Sequence, residues 1–239
     1  MPLRAPASAQ TLIRRIALQE KTMPPVLRLY EDVLSSDSAE VSLPALPRMI
    51  FVAHGSVTIA DRTLRDGEGW SGEGAVAPKA GSAGATLWRW EMAAGDAAAG
   101  TPAGRGVVSR EKLIASLETL PKGPLLLRGD SVAFPAGGCA YLHRHQGPGI
   151  RCLFEGAIRI DTHGRSTSYG PGGAWYESGP DPVFAQAADR PTRFIRTMIL
   201  PVAYVGKSSA EYLNEEDKAK PKVQQYKIFA DMPLSAPSS

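Results

Sequence analysis

A strand-like pattern that occurs twice in the chain is the sequence feature that most restricts its fold. The apolar segment IFVAHGSVTI (50–59) aligns with CLFEGAIRI (152–160), and the alignment places Gly55 over Gly156, 101 positions later. Both segments consist of two apolar runs separated by a glycine, which is typical of strands with a local bend. A pattern that repeats at a fixed spacing indicates related structural units.

Two further pairs of segments repeat with nearly the same spacing. The glycine-rich segment DGEGWSGEG aligns with PGGAWYESG, which places Trp70 over Trp175. Each copy then ends in an apolar run that contains an arginine, Arg89 in TLWRWEM and Arg196 in RFIRTMIL. We therefore predict two related β units. We expect the tryptophans to lie in the core and the matching arginines to form structural ion pairs.

Composition favours an all-β chain and excludes several classes of protein. The 239 residues include 24 glycines and 20 prolines, which favours many short strands joined by turns. The 27 basic and 24 acidic residues leave a net charge of +3, too balanced for a nucleic-acid-binding surface. No apolar run reaches the length of roughly 18 residues that a membrane helix needs. From the charge and the lack of a long apolar run we expect a protein that binds neither nucleic acid nor membrane. Two cysteines make no disulfide framework, so we also expect it to be cytoplasmic.

The repeat and the changes in composition divide the chain into five predicted segments. Apolar side chains at helical spacing in residues 10–20 predict a short amphipathic helix. Small residues and turn formers between the two copies predict a linker. The predicted segments are an N-terminal arm (1–23), a first β unit (24–92), a linker (93–106), a second β unit (107–205) and a polar C-terminal tail (206–239) with one strand at 223–229.

Two neighbouring histidines in the second unit carry the clearest chemical signal. They lie in the strand-like segment PAGGCAYLHRHQGPGIRCLFEG. Because alternate side chains of an extended strand share a face, Cys139, Tyr141, His143 and His145 are expected to point the same way. The sequence QGPG then predicts a turn and an antiparallel hairpin, which would place Arg151 on the same inner face.

These residues resemble the first sequence motif of the cupin superfamily. That motif is a glycine, five residues, His-x-His, three or four residues, a glutamate, six residues and a second glycine. The motif is matched at the right intervals by Gly137, His143, His145 and Gly156. Gly149 stands at the position of the glutamate.

The second cupin motif is matched only in part. Gly172 fits its first position. The family's proline, glycine, histidine and asparagine are replaced by Ser178, Pro180, Val183 and Ala187. The third metal-binding histidine of the family is therefore missing, and the first unit has no His-x-His at all.

The resemblance covers residues 24–205 and implies an all-β bicupin. It implies two tandem double-stranded β-helix barrels, of which the first (24–92) is degenerate and the second (107–205) carries His-x-His, with a short N-terminal helix and a C-terminal tail. Such barrels enclose room for one small ligand. Cupins commonly pair through their sheets, so a homodimer is also implied.

The two histidines can bind one divalent metal ion, Fe, Mn, Ni or Zn, if a third group completes the site. Glu177 is chemically the best candidate, and Tyr141, Cys139 and Asp181 are alternatives. The other interpretation is a metal-free pocket in which the histidines form hydrogen bonds to a ligand. Arg151 either binds a substrate carboxylate or reaches solvent at the barrel mouth.

Two functions follow from these alternatives. The first is a metal-dependent enzyme, of the dioxygenase, lyase or isomerase type, that acts on a small carboxylate- or carbonyl-containing molecule. In this enzyme Arg151 would orient the substrate and Tyr141 would donate a proton. The second is a metal-free bicupin that binds a small molecule without catalysis.

Overall fold

The structure is a computed structural model that describes residues 23–235. This range is nearly all β, with sixteen strands, one turn of 3-10 helix (Val202–Tyr204) and one short α-helix, α1 (Glu215–Ala219). The all-β fold class is therefore confirmed. No helix in this range has both the length and the hydrophobicity to span a membrane. The helix predicted over residues 10–20 lies outside the described residues.

The N-terminal unit is a six-stranded antiparallel sheet, called sheet 1. Its strand order is β3-β2-β5-β1-β6, and β4 also pairs with β2. One buried cluster joins side chains from the outer part of the sheet to side chains from its centre; they are Val57, Ile59 and Leu64, and Ile50 and Leu87. The outer part of the sheet therefore folds over the inner face. The strands are β1 (Val26–Leu34), β2 (Arg48–Ile59), β3 (Arg62–Arg65), β4 (Gly69–Gly72), β5 (Lys79–Ala93) and β6 (Val107–Ser116).

The C-terminal unit is a barrel of two five-stranded sheets. Sheet 2 has the order β11-β10-β13-β8-β15, and sheet 3 has the order β12-β9-β14-β7-β16. Apolar side chains from both sheets form the barrel core, among them Phe134, Leu153, Ile160 and Phe194. The strands are β7 (Leu125–Phe134), β8 (Cys139–His145), β9 (Gly149–Glu155), β10 (Ile158–Thr162), β11 (Arg165–Tyr169), β12 (Ala174–Glu177), β13 (Val183–Ala187), β14 (Thr192–Pro201), β15 (Ala210–Tyr212) and β16 (Gln225–Pro233).

The repeat seen in the sequence is present in the strand order. Sheet 1 runs β4-β2-β5-β1-β6 and sheet 3 runs β12-β9-β14-β7-β16, so each strand of one has a counterpart in the other. Contacts between the two sheets come in matching pairs: β4 with β16 and β12 with β6, then β2 with β7 and β9 with β1. The two sheets are therefore related by an approximate twofold axis and pack face to face.

The core between sheet 1 and sheet 3 is the largest apolar cluster of the described residues. Phe51, Trp88 and Trp90 come from sheet 1, and Ile150 and Ile195 come from sheet 3. Because strand side chains alternate between faces, sheet 3 uses one face for this core and the other for the barrel interior.

The first unit has no counterpart of the histidine strand β8 within residues 23–235. The corresponding segment, residues 35–47, contains only the isolated bridge from Leu43 to Val76. Pro44 and Pro47 interrupt it, and proline cannot donate a hydrogen bond to a sheet ladder. The histidine pair is therefore a feature of the second barrel alone.

The predicted hairpin between β8 and β9 is wrong. β8 pairs with β13 and β15 in sheet 2, whereas β9 pairs with β12 and β14 in sheet 3. The chain crosses from one sheet to the other at Gly147 and Pro148. A Cβ at position 147 would lie 2.0 Å from the carbonyl oxygen of Ile199, so only glycine fits this crossing.

Two segments pair differently from the predicted division of the chain. Residues 107–116, placed at the start of the second unit, form β6 and pair with β1 of sheet 1. The predicted tail contains β15, which pairs with β8, and β16, which pairs with β7 along its length. The strand expected at 223–229 is therefore present as β16 (Gln225–Pro233). The domain limits themselves stay a prediction.

The matching arginines form buried ion pairs, as predicted. Arg89 Nε lies 2.6 Å from Asp32 Oδ2, and Arg196 Nε lies 2.6 Å from Asp130 Oδ1. In both pairs Nη2 donates to the second carboxylate oxygen. In sheet 1 the predicted linker covers the pair, because Arg89 Nη2 also donates to the carbonyl of Gly100 at 2.8 Å.

The two cysteines are free and differ in exposure. Cys152 is fully buried, and burial raises the pKa of its thiol to about 12. Because the thiolate is the reactive form, we expect a thiol reagent to modify only Cys139 in the native protein. Ellman titration should find one reactive thiol per native chain and two in urea. Two reactive thiols in the native protein would contradict this burial.

Candidate functional site

The two histidines of β8 face each other inside the second barrel. Both side chains are buried, and their Nε2 atoms lie 3.2 Å apart. His143 Nδ1 donates to the carbonyl of Tyr141 at 2.7 Å, since a carbonyl can only accept. His145 Nδ1 lies 3.3 Å from the hydroxyl of Ser209. Each ring is thus anchored at Nδ1, as metal-binding histidines are, and presents Nε2 to the interior.

A β-bulge in β8 moves Tyr141 out of the site. The pairing with β13 joins Val183 to His143 but Ala185 to Ala140, so the register shifts between them. A bulge reverses the side-chain alternation beyond it. Ala140 therefore lines the interior, while the ring of Tyr141 lies under the ammonium groups of Lys220 and Lys222. The prediction that Tyr141 is the proton donor does not fit this placement.

Glu177 and Arg151 form a buried charged pair beside the histidines. Glu177 Oε2 lies 3.3 Å from His145 Nε2 and 2.7 Å from Arg151 Nη2. The contacts are at ion-pair distance, but Glu177 Oε2 has no partner with hydrogen-bond geometry. Glu177 Oε1 accepts from Trp175 Nε1 at 2.8 Å. Among the third-ligand candidates named from the sequence, Glu177 is thus the one whose carboxylate contacts a histidine of the pair, and its role as a ligand stays a prediction.

Arg151 is directed inward as predicted, but its guanidinium is already engaged. Besides the contact with Glu177, Nη1 donates to the carbonyl of Gly149 at 2.6 Å, and the side chain is fully buried. Arg151 is also absent from the residues that line the cavity. A substrate carboxylate could reach Arg151 only by displacing Glu177.

A small cavity lies next to the histidines. Its volume is about 20 Å³, which is the space that one water molecule or one ion needs. At the edge of the cavity, the guanidinium of Arg196 donates two hydrogen bonds to Asp130. The lining residues are Val132, Phe134, Ala140, His143, His145, Ile160, Glu177, Ala185, Phe194, Arg196 and Tyr226.

Burial and neighbouring charges fix the protonation states of the cluster. Burial lowers the pKa of His143 and lowers that of His145 well below its usual value, so both rings are neutral at pH 7. Burial would raise the pKa of Glu177, but the charge of Arg151 and the adjacent histidines bring it far below its usual range. Burial lowers the pKa of Arg151 to about 10, so the guanidinium stays charged. The site therefore combines one ion pair with two neutral imidazoles.

These pKa shifts predict that metal-free protein loses stability as the pH falls below about 6.5. The unfolded histidines take up protons there, whereas the folded ones do not, so the free energy of unfolding decreases by up to about 1.4 kcal/mol per pH unit per histidine. Urea unfolding of chelator-treated protein at pH 7 and pH 5 measures this decrease. The variant His143→Gln/His145→Gln should show a weaker dependence, and an unchanged dependence would contradict the neutral state.

Larger pockets lie outside the barrel interior, two of which contain a histidine. A pocket of about 140 Å³, called the mouth pocket, is lined by Thr162, His163, Tyr176, Glu177, Ser178, Asp181 and Val183, and so shares Glu177 with the inner cavity. An open groove of about 390 Å³ lies on the first unit, between the end of β1 and the middle of β2 and β5. The groove contains His54 but no residue of the histidine site.

No three His, Cys, Asp or Glu side chains in residues 23–235 form a complete metal-ligand group. At the histidine site, Arg151 lies against the carboxylate oxygen nearest His145. The donor chemistry nevertheless suits a divalent ion, since two neutral imidazoles and one ionised carboxylate with an unpartnered oxygen lie together.

Several residues of the site were missed from the sequence. Ser209 contacts His145 from a segment predicted to be a tail, and Tyr212 packs its ring 5.9 Å from that of His143. Their positions depend on β15 pairing with β8, for which a three-residue strand leaves no sequence signal. Asp130 did leave a sequence signal, because an aspartate interrupts the apolar first strand of each unit, Asp32 in β1 and Asp130 in β7.

Comparison with solved structures identifies the fold. No family model matches the sequence, and no curated protein matches it. A variant of oxalate decarboxylase from Bacillus subtilis matches with a TM-score of 0.60 and 12% identity, over 87% of this chain and 75% of that chain. Another structure of that enzyme, from work on its Mn(II) centres, has a TM-score of 0.56 and 10% identity over the same shares.

Salicylate 1,2-dioxygenase from Pseudaminobacter salicylatoxidans matches with a TM-score of 0.52 and 12% identity, over 86% of this chain and 75% of that chain. Both enzymes are cupin-fold proteins. The cupin-type barrel expected from the sequence motif is therefore confirmed as the fold. At these identities the likeness shows the fold alone.

Proposed function

We propose that the second barrel is the functional half of a bicupin and binds one divalent metal ion (Mn, Fe, Ni or Zn). The main support is the pair of imidazole Nε2 atoms, 3.2 Å apart, that line a cavity the size of one ion. Ligands that bind side by side to one ion at about 2.1 Å lie on the order of 3 Å from each other. His143 and His145 have this separation.

Glu177 is the proposed third ligand. Its Oε2 atom lies 3.3 Å from His145 Nε2 and has no hydrogen-bond partner, so it retains a free lone pair. Ion binding requires Glu177 to turn this oxygen from Arg151 toward the histidines. Arg151 would then keep its bond to the carbonyl of Gly149 and balance the charge of the carboxylate.

The proposed activity is that of a metal-dependent enzyme acting on a small carboxylate- or carbonyl-containing molecule. The bound ion would supply a Lewis acid that polarises such a group. Phe134, Phe194 and Ile160 line the cavity with apolar surface, and a low local dielectric constant strengthens electrostatic interactions there. Two enzymes with this fold are named for small organic acids, oxalate and salicylate, which is why this class is proposed.

The test is the metal content of the purified chain, and its four histidines provide a matched control. We expect about one Mn or Fe ion per chain after loading and desalting, and a loss of at least about tenfold in His143→Gln/His145→Gln. The variant His54→Gln/His163→Gln changes two exposed histidines and should keep the ion. Wild-type protein that retains none of the four metals would contradict the proposal.

A metal-free binding protein is the second candidate, and one observation favours it. The guanidinium of Arg151 lies 2.7 Å from Glu177, so the charge of the carboxylate is balanced without a metal ion. In this case the Arg151–Glu177 pair is structural. Wild-type protein that binds no metal, yet co-purifies with a small molecule, would support this candidate over the first.

The partners and location expected from the sequence stay predictions. A homodimer and a cytoplasmic location rest on the motif resemblance and on cysteine content. Sedimentation of the full chain across a hundredfold range of concentration tests the homodimer.

A further inference from the structure

Ser209 is the partner of His145 at Nδ1, the ring nitrogen that does not face His143. The serine is 1% exposed, and its Oγ atom lies 3.3 Å from Nδ1. Its carbonyl accepts from the backbone N–H of Gln146 at 3.1 Å, and the next residue, Ala210, pairs with His145 where β15 joins β8. Backbone hydrogen bonds on both sides therefore hold the hydroxyl against the ring.

The two histidines of the pair differ in what fixes their protons. A neutral imidazole has one N–H and one nitrogen lone pair. His143 Nδ1 is bound to the carbonyl of Tyr141, which can only accept, so the proton lies on Nδ1 and Nε2 keeps its lone pair. The partner of His145 Nδ1 is a hydroxyl, which can accept or donate. The tautomer of His145 therefore depends on Ser209.

Two acceptors compete for the single proton of the His145 ring. One is His143 Nε2, which lies 3.2 Å from His145 Nε2, and a proton between them would occupy the lone pair that a metal ion needs. The other is Ser209 Oγ at Nδ1. The proton of this hydroxyl is directed to Met198 Sδ at 3.7 Å, and a thioether sulfur can only accept. The hydroxyl is thus oriented as an acceptor, which favours the proton on Nδ1.

We propose that Ser209 is a positioning residue of the metal site, which holds the His145 proton on Nδ1 and so keeps the Nε2 lone pair for the ion. Hydrogen-bond partners behind metal-binding histidines tune affinity in this way. The inference rests on the proposed function for the ion, whereas the tautomer of His145 exists without one. It makes the segment before β15, which the sequence indicated to be a tail, a part of the metal site.

The first test measures the tautomer in chelator-treated, ¹⁵N-labelled full-length protein. Long-range ¹H–¹⁵N NMR spectra distinguish a protonated ring nitrogen from one with a lone pair, and the chain has only four histidines to assign. We expect the wild-type protein to carry the proton on Nδ1 in both His143 and His145. Ser209→Ala should move the His145 proton to Nε2, because Nδ1 loses its acceptor, and should leave His143 on Nδ1.

The second test measures metal retention in the same variants after loading with Mn or Fe and desalting. Ser209→Ala should lower the affinity about ten- to a hundredfold. Ser209→Thr keeps a hydroxyl and should restore both the tautomer and the ion. The matched control is Ser208→Ala, which removes an exposed hydroxyl that accepts from the N–H of Ala210 at 3.2 Å and should change neither readout.

A wild-type His145 with its proton on Nε2 would overturn the inference without any variant. A Ser209→Ala protein that keeps the wild-type tautomer, or that changes tautomer yet retains metal as tightly as the wild type, would overturn it as well. Failure of the proposed function looks different: wild-type protein would then retain no metal, while Ser209→Ala would still move the proton of His145.

Discussion

Replacing Asp130 with alanine is expected to lower the free energy of unfolding by about 3–5 kcal/mol. The guanidinium of Arg196 is almost fully buried and donates two hydrogen bonds to this carboxylate. Without them the buried charge loses its paired carboxylate, and the ring of Tyr226, 5.8 Å away, does not replace it. Urea unfolding at pH 7 measures the change as a lower midpoint with an unchanged slope.

An exposed ion pair of the same barrel provides the control. Arg144 and Glu211 form two hydrogen bonds of 3.0 Å, but both side chains are nearly half exposed, so Glu211→Ala should cost less than about 1 kcal/mol. The double variant Asp130→Leu/Arg196→Met removes both charges and should lose less stability than Asp130→Ala. Equal effects of Asp130→Ala and Glu211→Ala would refute the role of burial.

Ending the chain at Gln224 is expected to abolish cooperative unfolding, or to cost more than about 5 kcal/mol, a large share of the stability of a typical domain. This truncation removes β16, which pairs with β7 from Gln225 to Pro233. It also removes Asp231, whose carboxylate binds the buried guanidinium of Arg128 at 2.6 and 2.7 Å. Near-UV circular dichroism and urea unfolding report the loss.

Asp231→Ala tests the same role in a chain that keeps the strand. It leaves β16 in place but unpairs Arg128, so we expect a loss of about 3 kcal/mol. Arg128 retains its bonds to the carbonyls of Lys207 and Tyr204, which is why the effect should be smaller than that of truncation. A truncated chain that unfolds at the wild-type urea concentration would mean that β16 is dispensable.

The parts of the fold that the sequence predicts are those encoded by local patterns. Two copies of one strand pattern indicated two related sheets, and the strand order of sheets 1 and 3 agrees. His143 and His145 were placed side by side because they are two positions apart in one strand. Glu177 was selected by its chemistry, and it lies 3.3 Å from His145.

The parts that it did not predict depend on partners far along the chain. Which sheet a strand joins is a non-local choice, so β8 and β9 looked like a hairpin although they belong to different sheets. The bulge before His143 shifts the alternation by one position, and it places the half-buried ring of Tyr141 outside the barrel interior. Polar residues after position 206 suggested a tail, whereas Ser209 and Asp231 make buried contacts there.

The approximate twofold axis between sheets 1 and 3 has a consequence for how this protein evolves and behaves on dilution. When two separate chains associate through such a face, the complex dissociates at low concentration and both partners must be identical. Here the association is intramolecular, so it persists at any concentration. The two halves are also free to differ: within the described residues the first half has no counterpart of the histidine strand, while the second carries the pair of imidazoles.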